Sequence, residues 1–123
     1  MIIIGDQFVP FEQIENIDSI EDIKDTASNS TVCFEYDKPA MLYCFDNQVA
    51  YCVKITSIKE AVYANALGAK YILPARNILE QVQKTAENYL FDSKVLAVIE
   101  DESSIEELAL KSIDGVIFQK LIK

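Results

Sequence analysis

Residues 49–73 read VAYCVKITSIKEAVYANALGAKYIL, and this stretch decides the fold class. Val49 to Ile55 is β-branched and aromatic, the composition of a strand. Ser57-Ile58-Lys59-Glu60 matches a capping box: the serine oxygen accepts from the third helical amide while the glutamate reaches back. Ile58, Ala61, Val62 and Asn65-Ala66 continue that helix, and Gly68 fits the left-handed position that ends it. Tyr71 to Leu73 begins the next strand, closed by Pro74. Such a strand–helix–strand passage is a βαβ crossover and joins parallel strands.

The same grammar extends both ways. Thr31 to Tyr36 is a strand ending at Asp37. Pro39 suits the first turn of a helix that runs to about Asn47, with Met41, Leu42 and Phe45 as its apolar stripe. Ile78, Leu79, Val82, Ala86 and Tyr89-Leu90 recur at helical spacing. Lys94 to Ile99 is nearly continuously apolar, which predicts burial on both faces. Ser103-Ser104-Ile105-Glu106 repeats the capping-box chemistry, and Ile105, Leu108, Ala109 and Ser112 form that helix's inner stripe. Asp114-Gly115 turns into the last strand, Val116 to Phe118. Before Thr31 the pattern is looser. Ile2 to Ile4 ends at the turn dipeptide Gly5-Asp6, and Gln7 to Ile14 alternates with Pro10 interrupting it; this reads as a short N-terminal hairpin or two short edge strands. Ser19 to Ile23 fits one helical turn, and Lys24 to Ser30 a loop. The expectation is one α/β domain over residues 1–123, with a β addition and loop at 1–30 and βα units at 31–123. Its sheet has about five strands, mostly parallel, in an open three-layer or half-barrel arrangement.

Lys and Arg total 11 against 20 Asp and Glu, a formal net charge of −9. That balance disfavours nucleic-acid backbones and anionic membranes as partners. No apolar run approaches bilayer length, and Met1 to Ile4 is too short for a signal-peptide core, so a cytoplasmic location is expected. The chain has no histidine and three cysteines. Cys33, Cys44 and Cys52 each sit between aromatic or aliphatic neighbours and read as reduced core thiols. No CxxC or zinc-ligand spacing is present. Dinucleotide, P-loop and nucleophile-elbow motifs are absent as well, so no cofactor is expected. A phosphoacceptor receiver domain is excluded because the middle strand ends Leu73-Pro74 where an aspartate belongs.

In parallel α/β folds, ligands sit beyond the carboxyl ends of the strands. Those ends carry Asp37, Lys54, Arg76, Glu100, Asp101 and Lys120, with Thr56 and Gln119 beside them. Lys54 shares a strand face with Ala50 and Cys52. It reads either as a desolvated amine suited to chemistry or as a stem lying along the sheet with its ammonium at the rim. Glu100 and Asp101 read either as a carboxylate pair, forming a divalent-cation site with Asp37, or as a solvated helix cap in the run 100–107.

Residues 49–120 resemble the C-terminal half of phosphate-binding (β/α) barrels, especially indole-glycerol-phosphate synthase. The matching stretches are residues 49–73, quoted above, and VLAVIEDESSIEELALKSIDGVIF at 95–118. The resemblance implies that Glu100 stands where the family has a substrate-contacting glutamate. Lys54 stands where the family has an acidic catalytic residue, so that role is not preserved. The family grips phosphate with Ser-Gly and Gly-Ser pairs; this chain has Asp101-Glu102 and Gln119-Lys120 there, and extra carboxylates repel phosphate. The resemblance supports the fold and counts against the activity. The chain also resembles a small bacterial α/β family that brings no activity with it.

Three functions fit the residues. The first is a non-catalytic cytoplasmic binding or regulatory domain acting through protein contacts as a homodimer, with its six tyrosines as amphipathic contact area. The second is a small enzyme or ligand-binding domain using Asp37, Lys54, Arg76, Glu100 and Lys120 at the strand ends, for a small molecule whose identity is open. The third is an acidic surface that binds a basic partner.

Overall fold

The computed structural model describes residues 1–122. Seven strands form one sheet: β1 (Ile2–Ile4), β2 (Ile14–Asn16), β3 (Thr31–Glu35), β4 (Tyr51–Ile55), β5 (Tyr71–Pro74), β6 (Lys94–Ile99) and β7 (Gly115–Phe118). Their order is β1-β7-β6-β5-β4-β3-β2, and every neighbouring pair is parallel. Helices α1 (Ile20–Ile23), α2 (Lys38–Asp46), α3 (Ile58–Ala66), α4 (Leu79–Asn88) and α5 (Ile105–Leu110) make the crossovers from β2 onward.

Two expectations need correction. The sheet has seven strands, not about five. No N-terminal hairpin forms: β1 and β2 lie at opposite edges, β1 on β7 and β2 on β3. The Gly5-Asp6 turn does exist, with the Asp6 carboxylate accepting the Phe8 amide at 2.7 Å. It starts a return to the amino end of the sheet, after which β2 pairs in the same direction as the rest. Three-residue strands carry too little periodicity for sequence alone to pair them.

From β2 to β7 each strand lies beside its predecessor, so all crossovers proceed the same way and the helices collect on one face. Their inner residues (Ile23, Ala40, Met41, Cys44, Ala61, Ala64, Leu79, Val82, Ala86, Leu108) pack with the outward strand residues Val32, Phe34, Tyr51, Val53, Ile72, Val95 and Val116. Tyr51 is fully buried there. Its ring stacks on Phe34 at 5.3 Å, and its hydroxyl donates to the Leu67 carbonyl at 3.0 Å. No residue of α1 to α5 belongs to the cluster on the opposite face of the sheet. The sheet curls into a half-barrel, and Ile4, Cys33, Cys52, Tyr71, Leu73, Leu96, Ile117 and Ile122 fill its hollow. Burying a side chain such as Leu96 or Ile117 stabilises the fold by about 1.5–3 kcal/mol. Both edges contribute to this second core: Ile2 from β1 and Ile14 from β2 pack on it. The Asn16 amide donates to the Leu121 carbonyl at 2.8 Å, tying the β2 edge to the segment after β7.

The α2 stripe also differs from expectation. Ala40, Met41 and Cys44 face the core, whereas Leu42 and Phe45 are 49% and 53% exposed. The capping box at Ser57 forms: its hydroxyl accepts the Glu60 amide at 3.2 Å, and Glu60 reaches back to the Thr56 amide at 2.8 Å. The second box does not form. Asp101 caps a 3-10 turn at Glu102–Ser104 instead, accepting the Ser103 amide at 2.9 Å.

Candidate ligand-binding site

Parallel strands bring their carboxyl ends to one rim, and the alternation of side chains decides which residues face the hollow. On β3 and β4 the register pairs Cys33 with Cys52 and Glu35 with Lys54. Cys33 and Cys52 belong to the inner core, so Glu35 and Lys54, two residues further on, continue the same face to the rim. Asp37 follows β3 as the N-cap residue of α2, but its carboxylate makes no capping bond. Asn16, Asp18 and Ser19 come from the end of β2 and the turn into α1. Together these residues line a cleft of about 540 Å³. Lys54 is half-buried within it, and Glu35 and Asp37 are exposed.

A second cleft of about 490 Å³ lies at the ends of β5 to β7. Arg76, Glu100 and Asp101 line it, with Ser103, Ser104 and Gln119. The Arg76 guanidinium donates to the Val98 carbonyl at 3.1 Å. Hydrogen bonds from the Ser103 side chain and amide hold the Asp101 carboxyl below the usual carboxylate range. Asp101 is thus occupied as a cap.

The six rim residues therefore do not share one site. Asp37 and Lys54 line the first cleft; Arg76, Glu100 and Asp101 line the second. Lys120 lines neither, and its ammonium lies 5.7 Å from the Phe118 ring centroid. A cation site joining Asp37 to Glu100 and Asp101 is overturned by this separation. Among the described residues no three potential metal-ligating side chains cluster. Thr56 is taken up by Glu60, which accepts its amide and its hydroxyl.

Reading the strand ends alone missed Glu35 and the thiol pair below it. A signal was present: Cys33-Phe-Glu35 and Cys52-Val-Lys54 have the same spacing, so register puts thiol beside thiol and carboxylate beside ammonium. Cys33 lines the cleft, and Cys52 lies next to it under the rim. The Cys52 hydrogen bond lowers the Cys33 pKa; burial opposes that shift, and the nearby Lys54 charge adds to it. The same hydrogen bond and burial push Cys52 upward.

The amino end of the hollow is closed by Glu12. Its carboxylate accepts from the Thr31 hydroxyl at 2.8 Å and the Tyr71 hydroxyl at 2.7 Å, and it pairs with Lys70. Burial alone would raise this carboxyl, but the Lys70, Tyr71 and Thr31 hydrogen bonds and the Lys70 charge together hold it below its ordinary value.

No helix among the described residues is long and apolar enough to cross a membrane. No protein-family model matches the sequence, and no curated protein matches it.

Proposed function

We propose that this chain is a small-ligand-binding domain, with its site in the cleft at the carboxyl ends of β2, β3 and β4. One observation carries the reading: the cleft is lined by Asp18, Glu35 and Asp37 against Lys54. Three carboxylates and one ammonium at a concave rim favour a small polar ligand bearing an amino group, and the chain's net charge of −9 adds attraction at long range. The likeness to phosphate-binding barrels is then one of fold, because an anion meets carboxylates at both clefts.

A ligand that binds only the folded state raises the melting temperature in proportion to the logarithm of its concentration over Kd. A diamine or an amino acid is expected to raise it, and inorganic phosphate is not. Glu35→Gln with Asp37→Asn should remove the amine effect. Stabilisation by phosphate, or an amine effect untouched by the double substitution, would overturn the reading.

A second reading rests on a different surface. Leu42 and Phe45 of α2 and Val62 and Tyr63 of α3 are each more than two-fifths exposed. The two helices meet where the Lys38 ammonium sits 4.2 Å from the Tyr63 ring centroid. Apolar residues gathered on the outer faces of adjacent helices suit protein contact, a homodimer included. Sedimentation checks this: a dimer that Leu42→Glu converts to monomer supports it, and a wild-type monomer at micromolar concentration dismisses it.

A further inference from the structure

We propose that Cys33 and Cys52 form a redox-active dithiol in the floor of the first cleft, closing to a disulfide when hydrogen peroxide enters. Three features of the fold support this. The two residues are direct register partners on adjacent parallel strands, and both face the hollow. Neighbouring strands run about 4.8 Å apart, inside the range of roughly 4.4–6.8 Å between Cα atoms that a disulfide accepts. The backbones are thus already at a separation that a disulfide accepts. Both thiols are buried, at 1% and 0% exposure, but Cys33 borders the cleft and Cys52 does not. The order of events follows: Cys33 meets the oxidant, and Cys52 resolves.

Lys54 stands two residues beyond Cys52 on the same face, and its positive charge favours the Cys33 thiolate. That thiolate attacks one peroxide oxygen; the S–O bond forms and the O–O bond breaks. The departing hydroxide takes up the proton released from Cys33 and leaves as water, giving a sulfenic acid. The Cys52 sulfur then attacks the Cys33 sulfur. An S–S bond forms, the S–O bond breaks, and hydroxide leaves with the Cys52 proton as a second water. Two thiols and one peroxide become one disulfide and two waters, with peroxide as the two-electron acceptor.

Cys44 is the internal control. It is as buried as Cys33 and also borders a cleft, but it sits on α2 in the outer core, and burial pushes its thiol up to about 11. The folded wild-type chain is treated with hydrogen peroxide, quenched, denatured and counted for thiols, and then mapped by mass spectrometry. The count should fall from three to one, with a Cys33–Cys52 peptide pair and Cys44 left reduced. In Cys52→Ser, dimedone should trap a sulfenic acid at Cys33. Oxidation of Cys44 at the same rate would mean that the paired position of Cys33 and Cys52 gives them no special reactivity, and the proposal falls. It falls equally if the mapped wild-type chain contains no Cys33–Cys52 link. The wild-type map does not depend on how any variant folds.

Discussion

Glu12 shows how one side chain outside every regular element can hold a half-barrel together. It joins the segment before β2 to the first residues of β3 and β5 through Thr31, Lys70 and Tyr71. A carboxyl held below its ordinary value in the folded state contributes stability above its unfolded pKa and loses it as pH falls through the folded one. Stability should therefore decline through the acidic carboxylate range, and Glu12→Gln should flatten that part of the profile. At neutral pH the same substitution should cost on the order of 1–2 kcal/mol, since a charge-assisted contact is lost while the amide still fills the space. Urea unfolding at several pH values reads both effects. Tyr36 behaves oppositely. Its hydroxyl oxygen is buried with no hydrogen-bond partner among the described residues. Tyr36→Phe should leave stability unchanged or raise it by up to about 1 kcal/mol, because no bond is lost and a desolvated group is removed. The same urea experiment checks it.

Four of the helices end in one way. After α2, α3, α4 and α5 come Gln48, Gly68, Leu90 and Ser112, all with positive φ between 53° and 77°. The next residue then sends its amide back into the helix: Val49 to Cys44, Ala69 to Ala64, Phe91 to Ala86 and Ile113 to Leu108. Each is a Schellman closure, and its apolar residue leads into the following strand. Only Gly68 meets the left-handed requirement without strain. Leu90, which is 85% exposed, packs on little. Leu90→Gly should thus raise stability by roughly 0.5–1 kcal/mol, and Gly68→Ala should lower it by a similar amount; thermal melts read both. This repeat explains what was legible in the sequence. Gly68 announced its helix end, whereas Gln48, Leu90 and Ser112 carry no such mark, and only the closed hydrogen bonds identify them. Strands β3 to β7 were readable because apolar runs and turn residues bound them. β1 and β2 were not: each is three residues long, and the partner of β1 lies more than a hundred residues along the chain. The candidate site was half readable: strand ends supplied Asp37 and Lys54, but register alone brought in Glu35 and the two thiols.

Across the whole molecule, the curl of the sheet depends on the close approach of β1, β7 and β6. A methyl group at Gly115 would meet the Ile2 carbonyl oxygen at 2.6 Å and the Leu96 side chain at 2.7 Å. Backbone on one side and packed core on the other leave it no room. Gly115→Ala should cost about 1–3 kcal/mol and loosen β1 first. Hydrogen exchange should show faster exchange at the Ile4 amide, with β3 and β4 unchanged.

The edge strand β1 pairs with β7, more than a hundred residues later in the sequence. On a ribosome adding about 5–20 residues per second, that delay lasts roughly 5–20 s. Through it the nascent triplet Ile2-Ile3-Ile4 remains a sticky, unmatched ribbon while the middle of the sheet assembles without it. The sheet therefore closes at its β1 edge last, once β7 is in place to receive it.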